Sequence, residues 1–270
     1  MQNPPATPRD LRILTDTITA VETAGRVLRE RFSPQNRVHD MRTLLAAIDA
    51  NDAASARVLR PALERARPGA AWDEDEEGRG PLGAGEWWVV DAAEGNVNHI
   101  HGSTGWGVTA TLVRDDAPVL TAIHLPLSGE TYSAAAGHGA FRDGRPIRVS
   151  DKSDLSAALV GTGQAKPGEA PDIRRLLSAS VDRMLDHALL VSTAVPATVQ
   201  LVPVAAGRTD AFWQYGQVRS GLLAGALLVE EAGGVVLDTQ GAPWDLSRAD
   251  FLATTPHLAA AIVGVLSPIH

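Results

Sequence analysis

The sequence predicts a mixed α/β protein: long amphipathic helices first, then an antiparallel strand meander, then alternating strands and helices. Three observations predict it. Apolar residues recur near a 3.6-residue period from Leu11 onward, β-rich runs separated by Gly, Pro, Asp and Asn fill residues 87–150, and strand-like and helix-like segments alternate after Ser150. With 270 residues, 44% of them hydrophobic, the chain can bury a large core. One compact domain is expected, or two lobes at residues 1–150 and 151–270 packed as one unit.

In chain order, Leu11, Leu14, Ile18, Val21, Ala24, Val27 and Leu28 define one apolar face and predict an amphipathic helix over residues 11–32. A second helix is predicted from Thr43 to Ala66, interrupted near Pro61, because proline lacks an amide hydrogen and its ring crowds the preceding turn. Residues 73–77 are consecutive carboxylates followed by Gly and Pro, which reads as an exposed, solvated loop. The runs WWVV, WGVTATLVR, APVLTAIHLP, ETYSAAAG and AFRDGRPIRVS form the expected meander. Beyond it, ALVGTG, HALLVS and TDAFWQYG are expected strands. APDIRRLLSASVDRML, ATVQLVPVAAG and GLLAGALLVEEAGG are expected helices, the last closed by Gly233 just past its end.

Charge and composition narrow the partners. A net charge of -8 with no run of Lys or Arg argues against nucleic acid polymers and anionic membrane surfaces. The absence of cysteine removes disulfides, thiolate chemistry and Cys-ligated zinc, and fits a reducing cytoplasm. No apolar run approaches the roughly 20 residues that cross a bilayer, and the first residues show no secretory apolar segment, so a soluble cytoplasmic protein is expected.

Chemistry is expected where carboxylates meet backbone turns. In WWVVDAAEGNVNHIHG, Asp91 follows four apolar β-formers and is expected at a strand's carboxyl end, a common position for sites in α/β proteins. Glu94 follows, and Gly95 permits close approach of the backbone to a ligand. Two carboxylates and a carbonyl from one turn suit a hard divalent cation such as magnesium, although the spacing alone is equally that of an ordinary turn. His99 and His101 alternate, so on a strand they share a face, either as metal ligands or a base, or as plain core-edge or surface histidines.

Four blocks in order carry a family resemblance: WWVVDAAEGNVNHIHGSTGWGVTATLV, GETYSAAAGHGAFRDGRPIRVS, VAAGRTDAFW and AGALLVEEAGGVVLDTQGAPWDL. They resemble the inositol monophosphatase family, magnesium-dependent phosphatases of small polyol and nucleotide phosphates. The matching family text is W-x-x-D-P-x-D-G-T with N-F-x-x-G, then G-A-x-x-N-G-x-x-I, V-A-x-G-x-x-D-x-Y and a final helix with its E-A-G-G turn. The resemblance implies a layered αβαβα sandwich, a small phosphorylated substrate, one or two magnesium ions and a homodimer.

Carried over by position, the resemblance implies metal ligation by Asp91, the Ala93 carbonyl and Glu94. Glu94 replaces an aspartate and moves its carboxylate by about 1.5 Å, one C–C bond. Asn96 stands for the threonine that positions the attacking water; an amide holds water but cannot relay a proton as a hydroxyl does. The glutamate that binds the first metal and activates water falls on Glu74, Asp75 or Glu76, and Asp52 falls on the supporting aspartate of T-x-x-D. The family aspartate of W-D-x-A-A-G is missing, its place taken by Ser220 and Gly221, which puts a second magnesium in doubt. Trp244 and Asp245 lie in the wrong block to replace it and read as a turn.

For the substrate, Gln214 replaces an acid that contacts hydroxyls, and amides near Gly95 and Asn96 are expected to cradle phosphate. Arg219 is either a solvent-facing loop arginine or a guanidinium that binds phosphate where the second metal would sit. Two functions follow: a phosphatase with a remodelled site, or a scaffold that has lost hydrolysis and binds a ligand or catalyses a different, non-hydrolytic reaction.

Overall fold

The structure, a computed structural model, describes residues 4–75, 78–166, 168–216 and 218–269. Helices α1 (Pro8–Arg31) and α2 (Met41–Ala66) lead the chain. Thr7 and Asp10 form a reciprocal cap at the start of α1, and Asp40 caps α2 by accepting from the Thr43 amide at 2.7 Å. Contrary to the interruption expected from sequence, α2 runs unbroken through Pro61. The penalty for an interior proline is about 3 kcal/mol. It is outweighed by burial of Leu59 and Leu63 on either side of Pro61, in the core shared with α1.

A seven-stranded sheet follows in sequence order: β1 (Ala71–Trp72), β2 (Glu86–Glu94), β3 (Gly107–Arg114), β4 (Ala117–Leu125), β5 (Glu130–Ala135), β6 (Ala140–Arg142) and β7 (Arg145–Pro146). All neighbours after β2 pair antiparallel, the meander expected from the turn residues. A short helix, α3 (Asn96–Ile100), interrupts the chain between β2 and β3. Strands β3 and β4 are buried on both faces because both are covered. Ala110, Leu112 and Ala122 face α1 and α2, whereas Ile123 faces helices from the second half of the chain.

The second sheet has five strands in the order β11 (Val235–Leu237), β12 (Asp250–Thr254), β10 (Ala211–Tyr215), β8 (Leu159–Thr162) and β9 (Leu190–Thr193). Helices α5 (Ala197–Ala205) and α6 (Arg219–Glu231) fill the space between the sheets, with Leu201, Leu222 and Leu228 packed among Ile123, Phe212 and Phe251. Helices α4 (Pro171–Leu185) and α7 (Pro256–Leu266) cover the outer face through Met184, Leu258 and Ile262. The five layers make the αβαβα sandwich that the resemblance implies. Gly233, at φ 85°, ends α6 as expected, its amide and that of Gly234 donating back to the Glu230 and Val229 carbonyls. This placement matters because β2, α2, the start of α5 and the start of α6 meet at one end of the sandwich.

Candidate active site

The β2 strand does not end at Asp91, as the sequence suggested, but continues to Glu94 through a bulge. Asp91 pairs with Thr109 and Glu94 with Gly107, so three steps on β2 oppose two on β3. A bulge re-aims side chains. Here it leaves Asp91 half-buried, its Oδ1 accepting from the Ala93 amide at 3.0 Å, and buries Glu94 to 4% exposure. Gly95 then turns the chain at φ 74°, where a Cβ would stand 2.6 Å from the Gly105 carbonyl oxygen, so no other residue fits without movement.

Glu94 is held from the far side of the site. The Thr198 hydroxyl, in the first turn of α5, lies 2.7 Å from Glu94 Oε2 and 2.9 Å from the Gly221 carbonyl oxygen in the first turn of α6. A single hydroxyl hydrogen is therefore shared between two acceptors. Beside it, a Cβ placed on Gly221 would meet nothing within 4 Å. The position where the resemblance misses a carboxylate is thus open space next to a longer carboxylate arriving from β2.

Asn96 meets Asp52: its Nδ2 donates to Asp52 Oδ1 at 2.9 Å and to the Ile48 carbonyl at 3.2 Å. The remaining oxygen of Asn96 accepts from Asn51 Nδ2 at 2.8 Å. The orientation of this chain is fixed at its other end. His99 Nε2 faces the Leu28 carbonyl at 2.9 Å, which can only accept, so Nε2 carries the hydrogen and Nδ1 accepts from Asn51 Nδ2 at 3.0 Å. Burial drives the His99 pKa down, assisted by the charge of Arg31, consistent with a neutral ring. Asn51 Oδ1 is then left to accept from Arg31 Nε at 2.8 Å. Both amide hydrogens of Asn96 are committed inward.

The histidines do not share a strand face. Asn96–Ile100 is helical, so His99 is buried against Phe32 and Trp106, with ring centroids at 5.5 and 4.6 Å, while His101 lies past the helix end, its Nδ1 2.8 Å from the Val97 carbonyl oxygen. Five residues are too few to announce a helical period in sequence.

The acidic loop is not uniformly solvated. Glu74 is exposed and turned to the surface of α2, where Arg60 donates to it at 2.8 Å, so it is not brought to Asp91 and Glu94. Asp73, expected from sequence in a solvated loop, has a buried side chain instead, and Arg219 grips it through Nε and Nη2, both at 2.8 Å. Arg219 Nη1 donates to the carbonyls of Arg79 and Gly80 at 2.6 and 3.0 Å, and hydrogen bonding to Asp73 raises its pKa further. A Cβ at Gly78 would fall 2.1 Å from Arg219 Nη2. Arg219 is therefore neither the solvent-facing arginine nor the free phosphate ligand considered from sequence. Its donors tie the loop to the start of α6.

The Asp75 carbonyl oxygen accepts from the Gly78 amide at 2.8 Å, closing the loop's turn, and Glu76 lies outside the described residues. Gln214, on β10, donates to the Gly216 carbonyl at 3.0 Å and packs its amide against Gly163. Among the described residues no three His, Asp or Glu side chains gather closely enough to hold a metal ion.

A model of the inositol monophosphatase family matches residues 10–269. The chain belongs to the inositol monophosphatase family. An inositol-1-monophosphatase of Rhizobium meliloti (strain 1021) is 30% identical over 94% of this chain and 96% of its own. A Nus factor SuhB of Pseudomonas aeruginosa is 32% identical over 80% of this chain and 81% of its own. The solved inositol monophosphatase of Anabaena (Nostoc) sp. PCC 7120 superposes with a TM-score of 0.80 at 28% identity, covering 95% and 96% of the two chains. Inositol monophosphatases in general depend on magnesium, and the fold and family make this a phosphatase-like protein. Among the described residues no helix is long and apolar enough to cross a membrane.

Against that family background the polar chain from Arg31 to Asp52 was not legible in the sequence. Asn51 stands beside Asp52 in IDAND, and its adjacency to a motif residue is the one signal that pointed to it.

Proposed function

We propose that the chain hydrolyses a small phosphate monoester of a polyol, sugar or nucleotide with magnesium, at a site remodelled around Glu94 and Gly221. The observation that carries this reading is the meeting of Asp52 with Asn96, at 2.9 Å, directly after the β2 turn that bears Asp91 and Glu94. The donor set is all oxygen, as a hard cation prefers: the Asp91 and Glu94 carboxylates and the Ala93 carbonyl, with Asp75 or Glu76 as a further acid and waters completing the shell. Bound there, magnesium would supply positive charge to the phosphate oxygens. Without a carboxylate at Gly221 this set supports one ion rather than two.

Hydrolysis adds water to phosphorus, breaks the ester P–O bond and returns a proton to the leaving oxygen. With both Asn96 hydrogens committed and no hydroxyl in the relay, this site is suited to slow turnover. Gln214, in its bond to Gly216, and the amides after Gly95 remain the candidates for substrate contact. A cytoplasmic homodimer completes the reading. Leu190, on edge strand β9, is exposed, as are Leu185 at the end of α4 and Leu189 just before the strand, and sedimentation as a monomer would remove that part of it.

The test is phosphate release from sugar, inositol and nucleotide monophosphates, with and without magnesium, against an Asp91→Asn background. Release that needs magnesium and vanishes in Asp91→Asn supports the reading; no release above that background overturns it. A second reading, a ligand-binding or non-hydrolytic role, is favoured by the open space at Gly221 and by the relative named a Nus factor. Under it, Gly221→Asp with Asn96→Thr creates no activity and the parent protein shows none.

A further inference from the structure

Beside α3, a cavity of about 350 Å³ opens between the end of α1, the loop to α2, and α2 itself. That is the scale of a small-molecule site. Arg31, Arg37, Asn36, Asn51 and His99 line it over an apolar floor that includes Ile100. Two guanidinium groups face no carboxylate among the described lining residues, in a protein whose net charge is -8. Each is anchored by part of its donor set. Arg31 Nε is spent on Asn51 Oδ1, and Arg37 Nη1 on the carbonyls of Pro34 and His101 at 2.9 and 3.2 Å and on that of Asn36. Among the described residues, Arg31 Nη1 and Nη2 and Arg37 Nε and Nη2 have no partner. His99 contributes no charge, because its ring is neutral and both nitrogens are committed.

We propose that this cavity binds the phosphate group of a small molecule, at a site separate from Asp91 and Glu94, and that occupancy is felt at Asn96. Two pre-anchored cations match a dianion, and guanidinium forks suit its oxygens. The cavity is larger than phosphate alone and leaves room for an organic portion on the apolar floor. Transmission follows from the bonding: Arg31 holds Asn51, Asn51 holds Asn96, and Asn96 holds Asp52. An anion that draws Arg31 outward loosens its hold on Asn51 and alters the setting of Asn96. The inference does not depend on hydrolysis by this protein.

The probe is inorganic phosphate, titrated calorimetrically in EDTA against the full chain. Wild type and Asp91→Asn are expected to bind with the same Kd, and Arg31→Gln with Arg37→Gln at least about tenfold more weakly. In amide side-chain NMR, phosphate is expected to shift Asn51 and Asn96 resonances in both wild type and Asp91→Asn. Unchanged affinity in the double variant, no binding by wild type, or binding lost with Asp91→Asn overturns the site. Unshifted Asn96 overturns the coupling. Arg37→Gln alone, in an exposed loop, carries the test if the double variant does not fold.

Discussion

Two buried carboxylates, Glu94 and Asp73, decide how the candidate site is organised, and each is held by a side chain from the second half of the chain. Replacing Thr198 by Val keeps the shape but removes the hydroxyl that donates to Glu94, leaving a buried acceptor short of a bond. Stability to urea is expected to fall by about 1–3 kcal/mol. Arg219→Met is expected to cost more, about 3–5 kcal/mol, since Asp73 would stay buried without its countercharge. A loss under 1 kcal/mol in urea melts of Arg219→Met, on the same order as an exposed pair, would mean that Asp73 relaxes into solvent. The sequence placed Arg219 near the site but not in its role. The side chain that neutralises it lies 146 residues away, and no local pattern encodes such a pair.

At the level of elements, the same substitution is expected to act in opposite directions on two helices. Gly25 of α1 lies against β4: a Cβ there would stand 2.3 Å from His124 Cδ2 and 2.8 Å from Pro126 Cγ. Gly25→Ala is expected to lower stability by about 1–3 kcal/mol through overpacking. Gly221 of α6 faces open space with ordinary helical backbone, so Gly221→Ala is expected to gain about 0.5–1 kcal/mol by removing backbone freedom from the unfolded chain. Thermal melts of the two variants, moving in opposite directions, check both. Helix and strand identities were mostly legible because their periods were long enough. α3 was missed because it is a single turn, and the unbroken α2 because packing at Leu59 and Leu63 overrides a local breaker.

For the molecule as a whole, acid is expected to act in two stages. Burial lowers the pKa of His99 and His124 below 6.5. Their unfolded forms take up protons first, so the stability they contribute is complete above about pH 6.5 and is lost as pH falls through their folded values. Asp10 and Asp210 are buried, which opposes their charge. Hydrogen bonds from Arg114 and Thr7, and from Lys152 and Ser150, outweigh burial and hold both below 3.8. Their contribution is present above that value and lost beneath it. Urea midpoints are therefore expected to fall from pH 7 to pH 5, with a smaller fall in His99→Gln, and to fall again below pH 4.

The amino-acid order by itself determined the layered α/β class and the family, and it put Asp52, Asn96 and Gly221 forward as positions to inspect. Those rest on local periodicity and on motif text, which a linear chain carries in full. Which acids face the site was decided only by the tertiary structure. Arg60 draws Glu74 outward, Arg219 buries Asp73, and Thr198 takes Glu94 to the start of α6. A carboxylate's role follows from the charge and donors that surround it, and in this chain those arrive from 14, 146 and 104 positions away.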